Sequence, residues 1–154
     1  MGFRIDTGIR PALKKDKSSK QSRPANLRAR LEDPAHLALI RQLPCIIGGL
    51  NPSGEAAHIR YANAQFHKPI TGIGIKPDDK WTVPLSPWFH TQSRGAQHQH
   101  GEEGWWIDHN IDPLVVASRL YAASVGLREA QTAEHEAVAV LTGIVHFCRR
   151  EAGL

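Results

Sequence analysis

"KPDDKWTVPLSPWFH", residues 76–90, changes character halfway along. "KWTVPL" is a short apolar run bounded by turn residues, which reads as a β-strand. Ahead of it, Pro77, Asp78 and Asp79 read as a turn, because Asp side chains bond their own backbone in such turns. Pro87 suits the first position of a short helix, where its missing N–H costs nothing. A strand feeding a Pro-opened helix brings His90 beside a sheet. The other strand candidate, "EAAHIRY" at 55–61, carries His58. A helix imidazole presented toward a strand imidazole is a compact place for a metal with open coordination positions.

Outward from this core the pattern changes. Residues 45–110 are cut into short segments by Gly48, Gly49, Gly54, Gly72, Gly74, Pro52, Pro69, Pro77, Pro84 and Pro87. Helices flank that region. Asp33 and Pro34 form a cap-plus-proline start for a helix over 34–43, with Leu37, Ile40 and Leu43 on one face and Pro44 ending it. Asp112-Pro113 repeats the signature, and Leu114, Val115, Leu120 and Tyr121 mark a helix that Gly126 terminates. A last helix runs from Thr132 to Arg150, with Ala137, Val138, Leu141, Ile144, Val145 and Cys148 on its apolar stripe. The expected fold is α+β: a small strand–helix core flanked by helices over residues 33–154, behind an N-terminal arm of residues 1–32.

Composition bounds the class. The chain has 154 residues, 41% hydrophobic and 22% charged, which is ordinary globular usage for one domain. No apolar run approaches the ~20 residues of a membrane span, and no apolar segment follows the basic N-terminus as a secretory signal requires. Cys45 and Cys148 are too few for a disulfide framework. A cytoplasmic, reduced, soluble protein with no membrane association is the expectation.

Charge is distributed unevenly. Residues 1–30 hold nine Lys or Arg against Asp6 and Asp16, although the whole chain is only +4. A basic arm on a mildly acidic body suits a polyanion, since each cation that neutralises a phosphate releases counterions. Lys14, Lys15, Lys17, Lys20 and Arg23 are the arm residues expected to hold nucleic acid. A solvated tail accounts for the same charges equally well.

"HTQSRGAQHQH", residues 90–100, concentrates three histidines. Eight residues of straight helix separate side chains by about 12 Å, too far for one ion. Gly95 allows the segment to turn back. For His58 the plain reading is a hydrogen-bonded strand residue and the chemical one a general base. Asp78 and Asp79 either close a turn or hold such a base in its working tautomer. His67 and His100 read as surface residues, His109 as part of a linker, and His36, His135 and His146 as helical positions without a partner.

Taken in order, "LPCIIGG", "EAAHIR", "GIGIKPDDKWTVPLSPWFH", "AQHQHGEEGWW" and "IDPL" resemble the HNH, or ββα-metal, nucleases. More narrowly they resemble a phage-associated branch related to the RecA-dependent recombination-enhancement nucleases. The resemblance covers about residues 34–125. It implies a general base at His58, an orienting carboxylate at Asp79, and metal ligands at His90 and His98, with His100 a bystander. Arg60 and Lys76, along with Lys80 and Arg94, lie near that site and can add phosphate contacts, although a solvated face is the plainer reading of all four. The third metal ligand is left among Asp79, Asp78 and water, because Ala57 stands where many such enzymes carry a ligand.

The departures matter as much. The family's four zinc-binding cysteines fall at Cys45, Gly48, Ser86 and Phe89, so a Cys₄ structural zinc cannot form. Phe89, Trp88 and Ile46 are expected to fill that space, with Cys45 as a small buried hydrophobe. The resemblance implies phosphodiester hydrolysis on DNA with one divalent ion, Mg²⁺ or Mn²⁺ first and Zn²⁺ or Ni²⁺ next. It also implies a RecA-like recombinase filament as partner. Two other readings compete: an inactive HNH-like DNA-binding or recombinase-accessory protein, and a structural phage protein.

Overall fold

The computed structural model describes residues 29–71 and 74–154. Along the chain come α1 (Pro34–Gln42), β1 (Glu55–His58), β2 (Thr82–Leu85), a wide helical turn at Trp88–Gln92 and a 3₁₀ turn at Gln97–Gln99. They are followed by α2 (Glu102–Asp108), α3 (Pro113–Glu129) and α4 (Glu134–Ala152). The fold is α+β, with one two-stranded sheet among the described residues and the helices around it. No helix among the described residues is long and apolar enough to cross a membrane.

Both cap-plus-proline starts form as local chemistry dictates. The Asp33 carboxylate accepts from His36 N–H at 2.9 Å at the head of α1, and Asp112 accepts from Leu114 and Val115 N–H at 2.9 and 3.1 Å at the head of α3. The buried face of α1 keeps Ile40 and Leu43 of the three expected residues but is turned toward His36. His36, Leu39 and Ile40 face the core, followed by Leu43, while Leu37 is only half-buried. An apolar-stripe reading cannot place a histidine on a core face. Nor does α3 stop at Gly126. Its next turn packs Leu127 against the core and carries Arg128 to Asp33, contacts that outweigh the ~1 kcal/mol a helical glycine costs. Gly153, at φ +81°, ends α4 where a left-handed residue is needed. The unforeseen element is α2. "GEEGWWID" carries two glycines and no clear stripe, yet burying Trp105 and Trp106 fixes it as a helix.

The strands pair antiparallel, Glu55 opposite Leu85 and His58 opposite Thr82. All four residues of β2 are buried, and Val83 and Leu85 share one core with Leu39 and Ile40 from α1, Leu43 just past its end, Leu114, Ala117 and Leu120 from α3, and Leu141 and Val145 from α4. Pro84 has no N–H for a ladder, which a two-stranded sheet tolerates. Its carbonyl instead accepts from Ile46 N–H at 2.9 Å, docking the 45–49 turn onto β2.

That turn carries two of the four positions, 45 and 48, at which the resemblance expects zinc-binding cysteines. A Cβ on Gly48 would lie 2.5 Å from Phe89 Cε2, so the phenyl ring occupies the room a side chain at 48 would need. Gly48 N–H points to Cys45 Sγ at 3.4 Å, and Cys45, Ile46 and Ser86 are buried. Arg149 Nη1 donates to the carbonyls of Cys45, Ile46 and Ile47 at 3.1, 3.1 and 2.6 Å, fastening α4 to the turn. An aromatic ring and a guanidinium thus hold this turn. Trp88, expected in the same packing, is 60% exposed and takes no part.

Candidate functional site

β1 ends in His58, and the loop before β2 carries Asp79. Antiparallel pairing brings the two together: His58 Nε2 lies 2.9 Å from Asp79 Oδ1. Asp79 is 2% exposed. Burial pulls its pKa up, but hydrogen bonds from Asp33 N–H, His58 and Arg30 and the Arg30 charge outweigh that and hold it below the usual carboxylate value. An ionised carboxylate only accepts, so His58 Nε2 carries the proton and Nδ1 keeps its lone pair. The His58 pKa is lowered, first by burial, then by Arg30 and Lys76, against the opposing pull of Asp79. The ring is therefore neutral near pH 7 and has one basic nitrogen available.

The second pair sits at the other end of the hairpin. Pro87 opens the turn after β2, and Ser93 N–H bonds back five residues to Trp88 O, a π-type turn rather than a regular α-helix. This turn aims His90 at the start of β1, where its Nδ1 lies 2.6 Å from Glu55 Oε2. The chain then bends at Gly95, whose carbonyl accepts from Trp105 Nε1 at 2.8 Å. Gln97 Nε2 donates to Glu102 Oε1 at 2.9 Å, and Glu102 in turn accepts from Arg60 N–H at 2.9 and 3.2 Å. These bonds tie the turn bearing His98 to the exit of β1. The His90 and His98 rings meet edge-on, with centroids 4.6 Å apart. His98 is exposed, and its pKa is lowered by desolvation and by His90 and Arg60.

The structure therefore brings together His58 with Asp79, and His90 with His98. Among the described residues no hydrogen bond or ring contact joins one pair to the other. Glu55 and His58 stand three residues apart on β1, about 10 Å along a strand, and strand alternation sends them to opposite faces. Arg60 and Lys76 are both exposed, the first acting electrostatically on His98 and the second on His58. Lys14, Lys15, Lys17, Lys20 and Arg23 lie outside the described residues. His100 Nε2 lies 3.1 Å from Arg94 O, away from the pair.

Two imidazoles are a donor set that fits a divalent cation. His90 donates through Nδ1 to Glu55, which leaves Nε2 as the ligand nitrogen and matches how carboxylates orient metal-binding histidines. Among the described residues no group of three or more His, Cys, Asp or Glu converges as a closed cage. The fit is to an open site completed by water or substrate oxygens.

Three participants escaped the sequence reading. Glu55 stands inside "EAAHIR", but only the pairing with Leu85 puts it beside the turn of His90. Arg30 was counted in the arm, yet its guanidinium pairs with Asp79. His36 is fully buried behind the dyad with neither ring nitrogen partnered, its ring edge-on to Tyr121 at 5.0 Å. No family model, curated protein or solved structure matches the chain.

Proposed function

We propose that this chain is a metal-dependent DNA endonuclease of the HNH type, with β1, β2 and the turn at Trp88–Gln92 serving as its ββα-metal core. The observation that carries the reading is the His58–Asp79 hydrogen bond of 2.9 Å, formed across 21 residues of sequence. It leaves His58 Nδ1 as the base that takes a proton from an attacking water. Asp79 holds the tautomer and stabilises the imidazolium that forms. His90 and His98 would hold the cation, with Glu55 fixing the His90 ring. When bound, a divalent ion supplies Lewis-acid stabilisation of the phosphate oxygens. A site with few protein ligands and several waters suits Mg²⁺ or Mn²⁺, and two imidazoles suit Zn²⁺ or Ni²⁺. Arg60 and Lys76 contact phosphates beside each pair, and Lys14, Lys15, Lys17, Lys20 and Arg23 grip the backbone without reading bases. The setting is phage or prophage recombination, with a RecA-like filament as partner.

Plasmid nicking with Mg²⁺, Mn²⁺, Zn²⁺ or Ni²⁺ against an EDTA control tests this. His58→Ala is expected to lose roughly 100-fold or more in rate, the worth of a general base, while binding DNA as the parent does. An Ala variant that cuts at the parental rate refutes the base. The separation of the two pairs favours a second reading, a DNA-binding or recombinase-accessory protein without catalysis. A parent that binds DNA but cuts with none of the four cations supports that one.

A further inference from the structure

Residues 30–33 lie along the loop 77–79 through a dense set of polar contacts. Arg30 Nε donates to Pro77 O at 2.7 Å, and its guanidinium pairs with the Asp79 carboxylate. Leu31 N–H donates to Asp78 Oδ1 at 2.8 Å, and Leu31 O accepts from Asp79 N–H at 2.9 Å. Asp33 N–H donates to Asp79 Oδ2 at 2.8 Å. The strap is fastened at its far end, where Arg128 grips the Asp33 carboxylate at 2.9 and 2.7 Å.

Three of the roughly four acceptor positions of Asp79 are thereby engaged. Oδ1 is shared by His58 and Arg30, and Oδ2 takes the Asp33 amide. A carboxylate that is 2% exposed stays ionised through the hydrogen bonds it accepts and the charges beside it; for Asp79 these are the Asp33 amide and His58, then Arg30 with both a bond and a charge. Neutral His58 contributes a hydrogen bond but no charge. Arg30 contributes the charge. A purely mechanical clasp needs no guanidinium, since the main chain of Leu31 and Asp33 already bonds Asp78 and Asp79.

We propose that Arg30 is a positioning residue of the His58–Asp79 dyad, keeping Asp79 ionised and aimed at His58 Nε2, so that the basic arm is joined to the reacting end of β1. The role rests on the nuclease reading for its meaning. Its test does not require cleavage.

The groups that face His58 are Asp79 and Lys76 from the loop, Arg30 from the strap and His36 from α1, with Asp33 and Arg128 behind His36. Removing the Arg30 charge leaves Asp79 to be compensated by protonating His58, so the His58 pKa must rise. The experiment is a ¹⁵N–¹H titration of the imidazoles in the full chain for the parent, Arg30→Gln and Arg30→Lys. In the parent, His58 is expected as the Nε2–H tautomer, titrating below 6.5. In Arg30→Gln the midpoint moves up by roughly one pH unit; in Arg30→Lys, which keeps the charge, it stays near the parent. An Arg30→Gln midpoint equal to the parent's overturns the proposal. If Arg30→Gln does not fold, the parent decides: an Nδ1–H tautomer, or a midpoint at or above 6.5, overturns it equally. Where the parent cleaves, the acid limb of its pH–rate profile shifts upward with the imidazole in Arg30→Gln. A parent that cleaves nothing defeats the nuclease reading and leaves the titration result standing.

Discussion

Replacing His36 by leucine is expected to flatten the acid side of the protein's stability curve. His36 is fully buried on α1, and neither ring nitrogen has a hydrogen-bond partner among the described residues. Burial is the main reason its pKa falls from 6.5 to about 4; Arg128 and His58 add to the depression, against Asp33 and Asp79. Protonation therefore favours the unfolded chain, which binds its proton near 6.5, over the folded one, which resists until about 4. Stability from this group is complete above pH 6.5, declines as pH falls, and levels off below about 4. At 1.36 kcal/mol per pH unit, the share lost between pH 7 and pH 5 is about 2 kcal/mol. The Asp33 and Asp79 carboxylates, held below their ordinary 3.8, contribute their own loss at lower pH. Urea denaturation of parent and His36→Leu at pH 7 and pH 5 isolates the His36 share as a difference of differences. At pH 7 the variant is expected to be no less stable, since leucine removes two unpartnered buried nitrogens from a site of similar volume. At pH 5 it should exceed the parent by about 2 kcal/mol more than at pH 7. Parallel decline of the two proteins would mean that His36 is solvated or paired in the folded state, contrary to the burial argument.

Gly48→Ala drives a methyl to within 2.5 Å of the Phe89 ring, and overpacking of that kind costs about 1–3 kcal/mol; an unchanged denaturation midpoint would show that the ring does not fill the space at 48. Neutralising Lys14, Lys15, Lys17, Lys20 and Arg23 to glutamine in the full chain should lower the slope of log K against log salt by up to about 4 if each contacts a phosphate. An unchanged slope means the arm is no DNA clamp. Point substitution is preferable to deleting residues 1–30, which would also remove Arg30 from Asp79.

Much of the frame was legible in the residues themselves. Asp33-Pro34 and Asp112-Pro113 start helices because capping and a missing N–H are local effects, complete within four residues. "EAAHIR" and "KWTVPL" form the hairpin because short apolar runs between turn residues have few other ways to bury themselves. What lay beyond the sequence depends on partners distant along the chain. The α2 helix exists through burial of Trp105 and Trp106, and α3 outruns Gly126 because of contacts made by Leu127 and Arg128. His58 meets Asp79, and Glu55 meets His90, only once strand register is set, and register places the two pairs at opposite ends of β1. Sequence alone determined which side chains have the chemistry to move a proton or hold a cation. Tertiary structure decided which of them share a hydrogen bond and which charge, Arg30, stands behind the carboxylate, because electrostatic and packing energies depend on separation in space rather than along the chain.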